Sequence, residues 1–273
     1  MSRLIINETS CIRCNTCAEG CVLGIIERAV APAFPKIISE MEAFCLKCGH
    51  CEAFCPQEAL VLDYLREEKI VCGTIDGVIE PRTLERYMKK RRSIRVFTDE
   101  HVPRETITGI LDAARYAASG GNQQPVQWLV LSDPGEVRRV AGLTIDWMRS
   151  IIDTEHPLAP YAPFIIEKWD GGGDPICHGA PHLLFAHIPG TDGADDPTEA
   201  VIAMTHVDIA APAFGVGTCW AGFVKMAADT YGPLQEVLTL PEGRRIGCAM
   251  MFGVPRHPVV SIPRRNPAVI TWR

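Results

Sequence analysis

Hydrophobic and polar positions divide the chain into two stretches of different texture. Near the N-terminus the apolar runs are short: Leu4–Ile6 and Leu60–Leu62 are strand candidates bracketing a polar, loop-like interval. Further on the apolar periods lengthen. A basic helix is predicted through Tyr87–Arg92. Glu105–Ala118 carries Ile107, Ile110, Leu111, Ala114 and Ala118 at helical spacing, and Glu136–Asp153 fits another helix. Val126–Leu131, Leu183–Ile188 and Ile246–Val254 are β-rich runs that predict strands, and Pro197–Ala213 predicts a helix opened by proline and acids. Residues 154–181 hold five prolines and the run Gly171–Gly173, and so read as loop. Strands alternating with helices predict an α+β or α/β unit behind the smaller one. The expected division is a small domain over 1–65, a connector over 66–85 containing Gly73, Gly77 and Pro81, and a larger domain over 86–273.

Composition narrows the function class. Of 273 residues, 47% are hydrophobic and 22% charged, the balance of a globular protein with ample core. A formal net charge of −6 argues against a general nucleic-acid binder. No run reaches the roughly 18 apolar residues of a membrane span, and the N-terminus lacks a secretory h-region, so a cytoplasmic enzyme with no membrane partner is expected.

Cysteine changes this ordinary picture. Eight of the 12 cysteines fall in the first 55 residues. Cys11, Cys14, Cys17 and Cys21 form C-x2-C-x2-C-x3-C, and Cys45, Cys48, Cys51 and Cys55 repeat it 34 residues later. A domain with internal pseudo-twofold symmetry and reduced, metal-bound thiols follows. Paired zinc sites are one occupant of repeated C-x2-C. Two successive x2 spacings, twice over, fit loops that wrap three corners of a cubane cluster better. Cys72, Cys177, Cys219 and Cys248 show no such spacing and read as buried apolar thiols.

The double motif resembles that of bacterial two-[4Fe–4S] ferredoxins, in which the last cysteine of each run ligates the other cluster. The resemblance assigns Cys11, Cys14, Cys17 and Cys55 to one cluster, and Cys45, Cys48, Cys51 and Cys21 to the second. The second run ends in Cys55-Pro56 as that pattern expects, whereas the first ends in Cys21-Val22.

Segments of the larger unit, over roughly residues 86 to 273, resemble the nitroreductase family. Arg91-Arg92-Ser93-Ile94-Arg95 matches an R-x-S-x-R opening; guanidinium and hydroxyl groups suit a phosphate, and the resemblance gives Arg91, Arg92, Ser93 and Arg95 the FMN phosphate. Ala118 to Pro125 matches an A-x-S-x-x-N-x-Q-P turn, implying flavin contacts from Ser119, Asn122, Gln124 and Pro125; Val126 and Gln127 stand where many relatives have an aromatic. Gly215-Val216-Gly217-Thr218-Cys219-Trp220 resembles a G-x-G-T-C-W turn, with Gly217 and Thr218 at the cofactor and Ala221 and Gly222 at flavin N5. Gly253-Val254-Pro255 and the tail around Arg264 and Arg265 complete the match, one of these arginines closing over the phosphate, Arg264 being favoured.

Together the resemblances imply an α+β chain: a small ferredoxin-like two-cluster domain followed by a nitroreductase-like FMN-binding domain. They imply a homodimer, a low-potential donor such as ferredoxin, and reduction of a small organic acceptor such as a nitroaromatic or quinone. Reductive dehalogenation, enoate reduction, flavin fragmentation, or reduction of a protein partner are the competing activities. His187, His206 and Asp208 read as core or helix-surface residues rather than catalysts. Residues 153–181, with Trp169, Cys177 and His178, read as a substrate-facing lid.

Overall fold

The computed structural model describes residues 3–63, 79–190 and 196–273. Its contacts divide the chain into a first unit, Met1–Val78 with Ser119–Gln123, and a second, Ile79–Ala118 with Gln124–Arg273. Most of the expected connector, and Cys72 with it, lies outside the described residues.

In the first unit β1 (Arg3–Ile6) leads to a one-turn helix α1 (Thr16–Glu19) and β2 (Ile26–Glu27). Then β3 (Lys36–Ile37), α2 (His50–Ala53) and β4 (Leu60–Asp63) repeat the sequence of elements in reverse pairing. The outer strands pair antiparallel with Leu4 opposite Leu62 and Ile6 opposite Leu60, as do the inner ones, with Ile26 opposite Ile37. Along β4 side chains alternate between buried and exposed, so Leu60 and Leu62 join Ile25, Ile26, Cys17 and Cys51 in one small core. The sequence repeat is also a backbone repeat. Left-handed residues recur 34 positions apart at Arg13 and Lys47, Asn15 and Gly49, and Gly24 and Glu58. Turn hydrogen bonds recur with them: Ala18 and Glu19 N–H to Asn15 O, then Glu52 and Ala53 N–H to Gly49 O.

The second unit begins with α3 (Pro81–Lys90), inside the stretch read as connector. Proline is tolerated in a first helical turn, and the Glu80 carboxylate accepts from the N–H groups of Arg82 and Thr83. The Tyr87 hydroxyl anchors it, donating to Ile209 O at 2.5 Å and accepting from Ala213 N at 3.1 Å. Next come α4 (Arg104–Ala114), β5 (Gln127–Leu131), α5 (Pro134–Ile151), α6 (Ala162–Asp170) and β6 (His182–Pro189). The chain closes with α7 (Thr198–Ala210), β7 (Gly217–Trp220), α8 (Gly222–Thr230), α9 (Gly232–Leu238) and β8 (Arg244–Gly253). The strands form one antiparallel sheet in the order β5-β6-β8-β7.

Both faces of that sheet are covered. Leu183 and Phe185 point into the core with α5, α8 and α9, while Leu184, Ala186 and Ile188 point into the core with α4 and α7. Burial on both sides explains why β6 reads as a continuous apolar run. Each large apolar side chain so buried contributes roughly 1.5–3 kcal/mol.

Four expectations shift. The helix expected to reach Ala118 ends at Ala114, and Pro197–Ala213 is α7 from Thr198 to Ala210 followed by a 3-10 turn through Pro212. Residues 154–181 are not all loop: Pro163 sits in the first turn of α6, where it breaks no hydrogen bond, and Ile165, Ile166 and Trp169 pack against the core. Gly217–Trp220, expected as a turn, is a strand, because Thr218 and Cys219 pair with Phe252 and Met251 of β8.

Two outcomes test this packing. A methyl group at Gly247 would collide with Ala200 Cβ, so Gly247→Ala should destabilise by about 1–3 kcal/mol, read from denaturant midpoints. His182 is buried and accepts from Val102 N–H at 2.9 Å, and burial pushes its pKa down from 6.5 to about 4. The unfolded chain therefore binds the extra proton first, and this contribution to stability is full above pH 6.5 and lost toward pH 4. Thermal unfolding of His182→Gln should lose part of that acid slope; an unchanged slope would assign it elsewhere.

Candidate functional site

The eight clustered cysteines sort into two cavities. One is lined by Cys11, Cys14, Cys17 and Cys55, with about 300 Å³ of non-atom space; the other by Cys21, Cys45, Cys48 and Cys51, with about 410 Å³. Each cavity thus draws three cysteines from one run and one from the other. The one-turn helices bring this about: α1 follows left-handed Asn15 and α2 follows left-handed Gly49, turning Cys17 and Cys51 inward, where both are buried. Asn15 fastens the first loop, accepting from Ala29 N at 2.6 Å and donating to Ala29 O at 3.3 Å. Burial raises the thiol pKa of Cys17, and that of Cys51 to about 12; the Thr16 hydroxyl, 3.2 Å from Cys14 Sγ, lowers that of Cys14. A soft cation or cluster is what turns such buried thiols into thiolates. Among the described residues no three His, Cys, Asp or Glu groups converge on a single-ion site.

In the second unit a buried carboxylate organises the expected phosphate segment. Asp208 on α7 pairs with Arg91 Nη1 at 3.3 Å, accepts from the Thr218 hydroxyl at 2.6 Å, and accepts from Trp220 Nε1 at 3.3 Å. Segment 93–97 then runs beside β7: Ser93 bridges Thr218, Ile94 N donates to Thr218 O at 2.8 Å, and Phe97 bridges Pro255. Gly217 is required here. A Cβ on it would lie 2.7 Å from Ile94 Cγ1 and 2.8 Å from Pro255 Cγ. Arg95 and Ser93 both reach the Cys219 thiol, although burial outweighs them and raises its pKa.

Beyond β7 the chain enters α8. Ala221 is buried and donates to Ala249 O at 2.9 Å, whereas a Cβ on Gly222 would meet nothing within 4 Å. The first-turn N–H groups of α8 have no partner within their own helix, and its positive dipole end favours an anionic group. Arg91, Ser93, Arg95, Gly217 and Thr218 are therefore brought together, with Ala221 and Gly222 following directly in sequence.

Other expected residues stand apart. Arg92 turns back on α3, bonding Arg91 O and, at 3.0 Å, Lys89 O. Ser119 and Asn122 group with the first unit, where Asn122 Nδ2 donates to Leu46 O at 3.2 Å and Lys47 O at 3.0 Å. Gln124 and Pro125 belong to the second unit, and Pro125 O accepts from Arg244 at 2.6 Å. Arg264 and Arg265 lie on an exposed tail without secondary structure.

The lid residues are largely structural. Trp169 covers the Arg138 guanidinium at 3.6 Å, and Asp174 accepts from the N–H groups of Ile176, Cys177 and Gly179. Cys177 is buried, its thiol pushed up by desolvation, as Cys248 is; His178 is half-buried, its pKa lowered first by desolvation and then by Arg95. Another cavity, with about 1320 Å³ of non-atom space and lined in part by Lys225, Asp229, Arg244 and Arg245, includes no expected flavin residue.

Two organising residues escaped the sequence reading. Asp208 was read as core, and Arg244, which also bonds His187 Nδ1 and His187 O at 2.7 Å each, was not singled out. Arg244 lies two residues before the expected strand start at Ile246, and no local signal singled it out.

A family model of the nitroreductase family matches residues 88–254. The chain belongs to the nitroreductase family. An Archaeoglobus fulgidus protein, assigned provisionally as an NADH dehydrogenase/NAD(P)H nitroreductase, is 26% identical over 166 residues, 61% of this chain and 82% of that protein. Mouse iodotyrosine deiodinase 1 is 34% identical over 71 residues, 26% of this chain and 22% of its own. The solved structure of a Bacteroides fragilis nitroreductase with bound FMN superposes with a TM-score of 0.58 at 17% identity, covering 70% of this chain and 98% of that one. Membership makes the chain an oxidoreductase with the family's α+β fold. Among the described residues no helix is long and apolar enough to cross a membrane.

The Asp208 tie is directly testable within this nitroreductase-family unit. Asp208→Asn keeps the shape but loses the charge facing Arg91, and should destabilise by about 1–3 kcal/mol in urea unfolding. An unmoved midpoint would mean the carboxylate ties nothing.

Proposed function

We propose that this chain is an FMN-dependent iron–sulfur reductase. Electrons from a low-potential donor such as ferredoxin pass through two [4Fe–4S] clusters to FMN, and then to an organic electrophile of the nitroaromatic or quinone type. The observation that carries the reading is the sorting of eight cysteines into two four-thiol cavities on a chain whose larger part is a nitroreductase. On this reading the first unit is a ferredoxin-like domain.

The residues present fit both groups. Four thiols per cavity suit a cubane, and soft sulfur suits iron–sulfur chemistry. The open space at Gly222, the N-terminus of α8 and the Arg91–Ser93 pair suit a flat ring with an anionic tail. When bound, FMN supplies the link between one-electron clusters and a two-electron acceptor.

The chain's own residues bind and orient. Asp208 fixes the Arg91 guanidinium, which with the Ser93 hydroxyl would hold the phosphate of a bound FMN. Gly217 lets segment 93–97 lie close against β7, bringing Ser93 beside Thr218. The Ala221 N–H is spent on Ala249 O, so the first-turn N–H groups of α8 from Gly222 onward would be the donors toward a bound flavin. No acid–base residue is assigned, and protons come from solvent.

A homodimer in the cytoplasm, with no nucleic-acid or membrane partner, completes the proposal. The tail that bears Arg264 and Arg265 favours it: Val260, Val269 and Trp272 are exposed there, as expected of a segment that packs on a second copy. The iodotyrosine deiodinase match favours reductive dehalogenation as the second reading of the acceptor.

Anaerobic purification followed by iron, sulfide and acid-released flavin assays tests the cofactors. About eight irons and about eight sulfides per chain are expected, with about one FMN for each flavin pocket. Zinc in place of iron, or no flavin, would remove the corresponding half. Cys48→Ser or Cys51→Ser should abolish ferredoxin-driven turnover yet leave dithionite-reduced flavin reactive with acceptor. Full ferredoxin-driven activity in these variants would sink the relay.

A further inference from the structure

The two cysteine cavities share one backbone but not one chemistry. Around the first, the Thr16 hydroxyl lies 3.2 Å from Cys14 Sγ, and Ala59 N–H donates to Cys55 Sγ at 3.2 Å. Arg13 also lines it, held in place by the carbonyls of Ala33 and Pro32 and stacked 3.9 Å from the Phe34 ring centroid. The second cavity is lined, beyond its cysteines, by apolar side chains such as Val22, Ile26, Ile37, Leu46 and Leu62, with His50 as its one polar side chain. At the position equivalent to Thr16 stands His50, whose ring packs against Phe54 at 5.5 Å. Lys47, equivalent to Arg13, is not among the residues lining the second cavity.

Reduction adds one negative charge to an iron–sulfur cluster. Donors on the sulfurs and a nearby cation stabilise that charge, and apolar walls penalise it. When Cys14 is a thiolate, the Thr16 hydroxyl must be the donor in their contact.

We propose that the two sites are electrochemically unequal. The cluster held by Cys11, Cys14, Cys17 and Cys55 accepts its electron at a higher potential than the cluster held by Cys21, Cys45, Cys48 and Cys51, and Thr16 is a residue that sets the difference. The proposal rests on the iron–sulfur reading above. Each step transfers one electron from a low-potential one-electron reductant to one cluster, with no bond made or broken. In the singly reduced protein the electron resides at the Thr16 site.

The test is an anaerobic potentiometric titration of the whole protein with dithionite, each point read by electron paramagnetic resonance. Two separate one-electron steps are expected. Thr16→Val should move only the upper step downward, and Thr16→Ser, which keeps the hydroxyl, should leave it in place. His50→Thr, which adds a hydroxyl at the equivalent position beside Cys48, should move the lower step upward. Coincident steps, or a Thr16→Val variant with both steps unmoved, would overturn the inequality. Should Thr16→Val fail to assemble its clusters, His50→Thr decides, and an unmoved lower step overturns the proposal. Iron and sulfide contents separate the two levels of failure. Well under about eight irons per chain defeats the iron–sulfur reading itself, whereas about eight with coincident steps defeats only the inequality.

Discussion

A carboxylate taken out of water must be compensated, and in the larger unit the compensation of Asp208 sets the arrangement of everything around it. Its three partners come from two places: Arg91 from the chain after α3, and Thr218 and Trp220 from β7. Satisfying one buried charge therefore fixes the end of α7, the strand and the incoming segment at once. The glycine at 217 makes the arrangement sterically feasible, and the carboxylate makes it specific. Without the ion pair Arg91 would be free to turn back on α3, as Arg92 does.

The first unit rests on a different constraint. It has few large side chains to bury, and its core is built around Cys17 and Cys51 with Ile25, Ile26, Leu60 and Leu62. Domains this small seldom stand on apolar burial alone and commonly recruit a metal or cross-links. On the proposed iron–sulfur reading, cluster retention and folding would be one equilibrium rather than two.

Legibility followed sequence distance. The cysteine repeat was readable because its ligand spacing is local, and the crossed grouping of the two runs reappears in the cavities. Strands β6 and β8 were readable because burial on both faces leaves long apolar runs. Helix α6 was hidden by Pro163, which sits in its first turn, where it does no damage. Asp208 and Arg244 were hidden because their partners lie far along the chain; Arg244 reaches Pro125, 119 residues away. Asn122 carries a turn-like signature that says nothing of its amide being spent on Leu46 and Lys47.

Strand β7 sits at one end of its sheet, and a strand so placed presents unpaired N–H and C=O groups to any other extended chain. Here that row is met in part by Ser93 and Ile94, whose backbone lies along Thr218. The segment that brings Arg91 and Ser93 to the site is thus also a guard against edge-to-edge association. Loosening it would uncover a template for aggregation, and poor solubility would follow from a lesion whose chemical address is the Arg91–Ser93 segment.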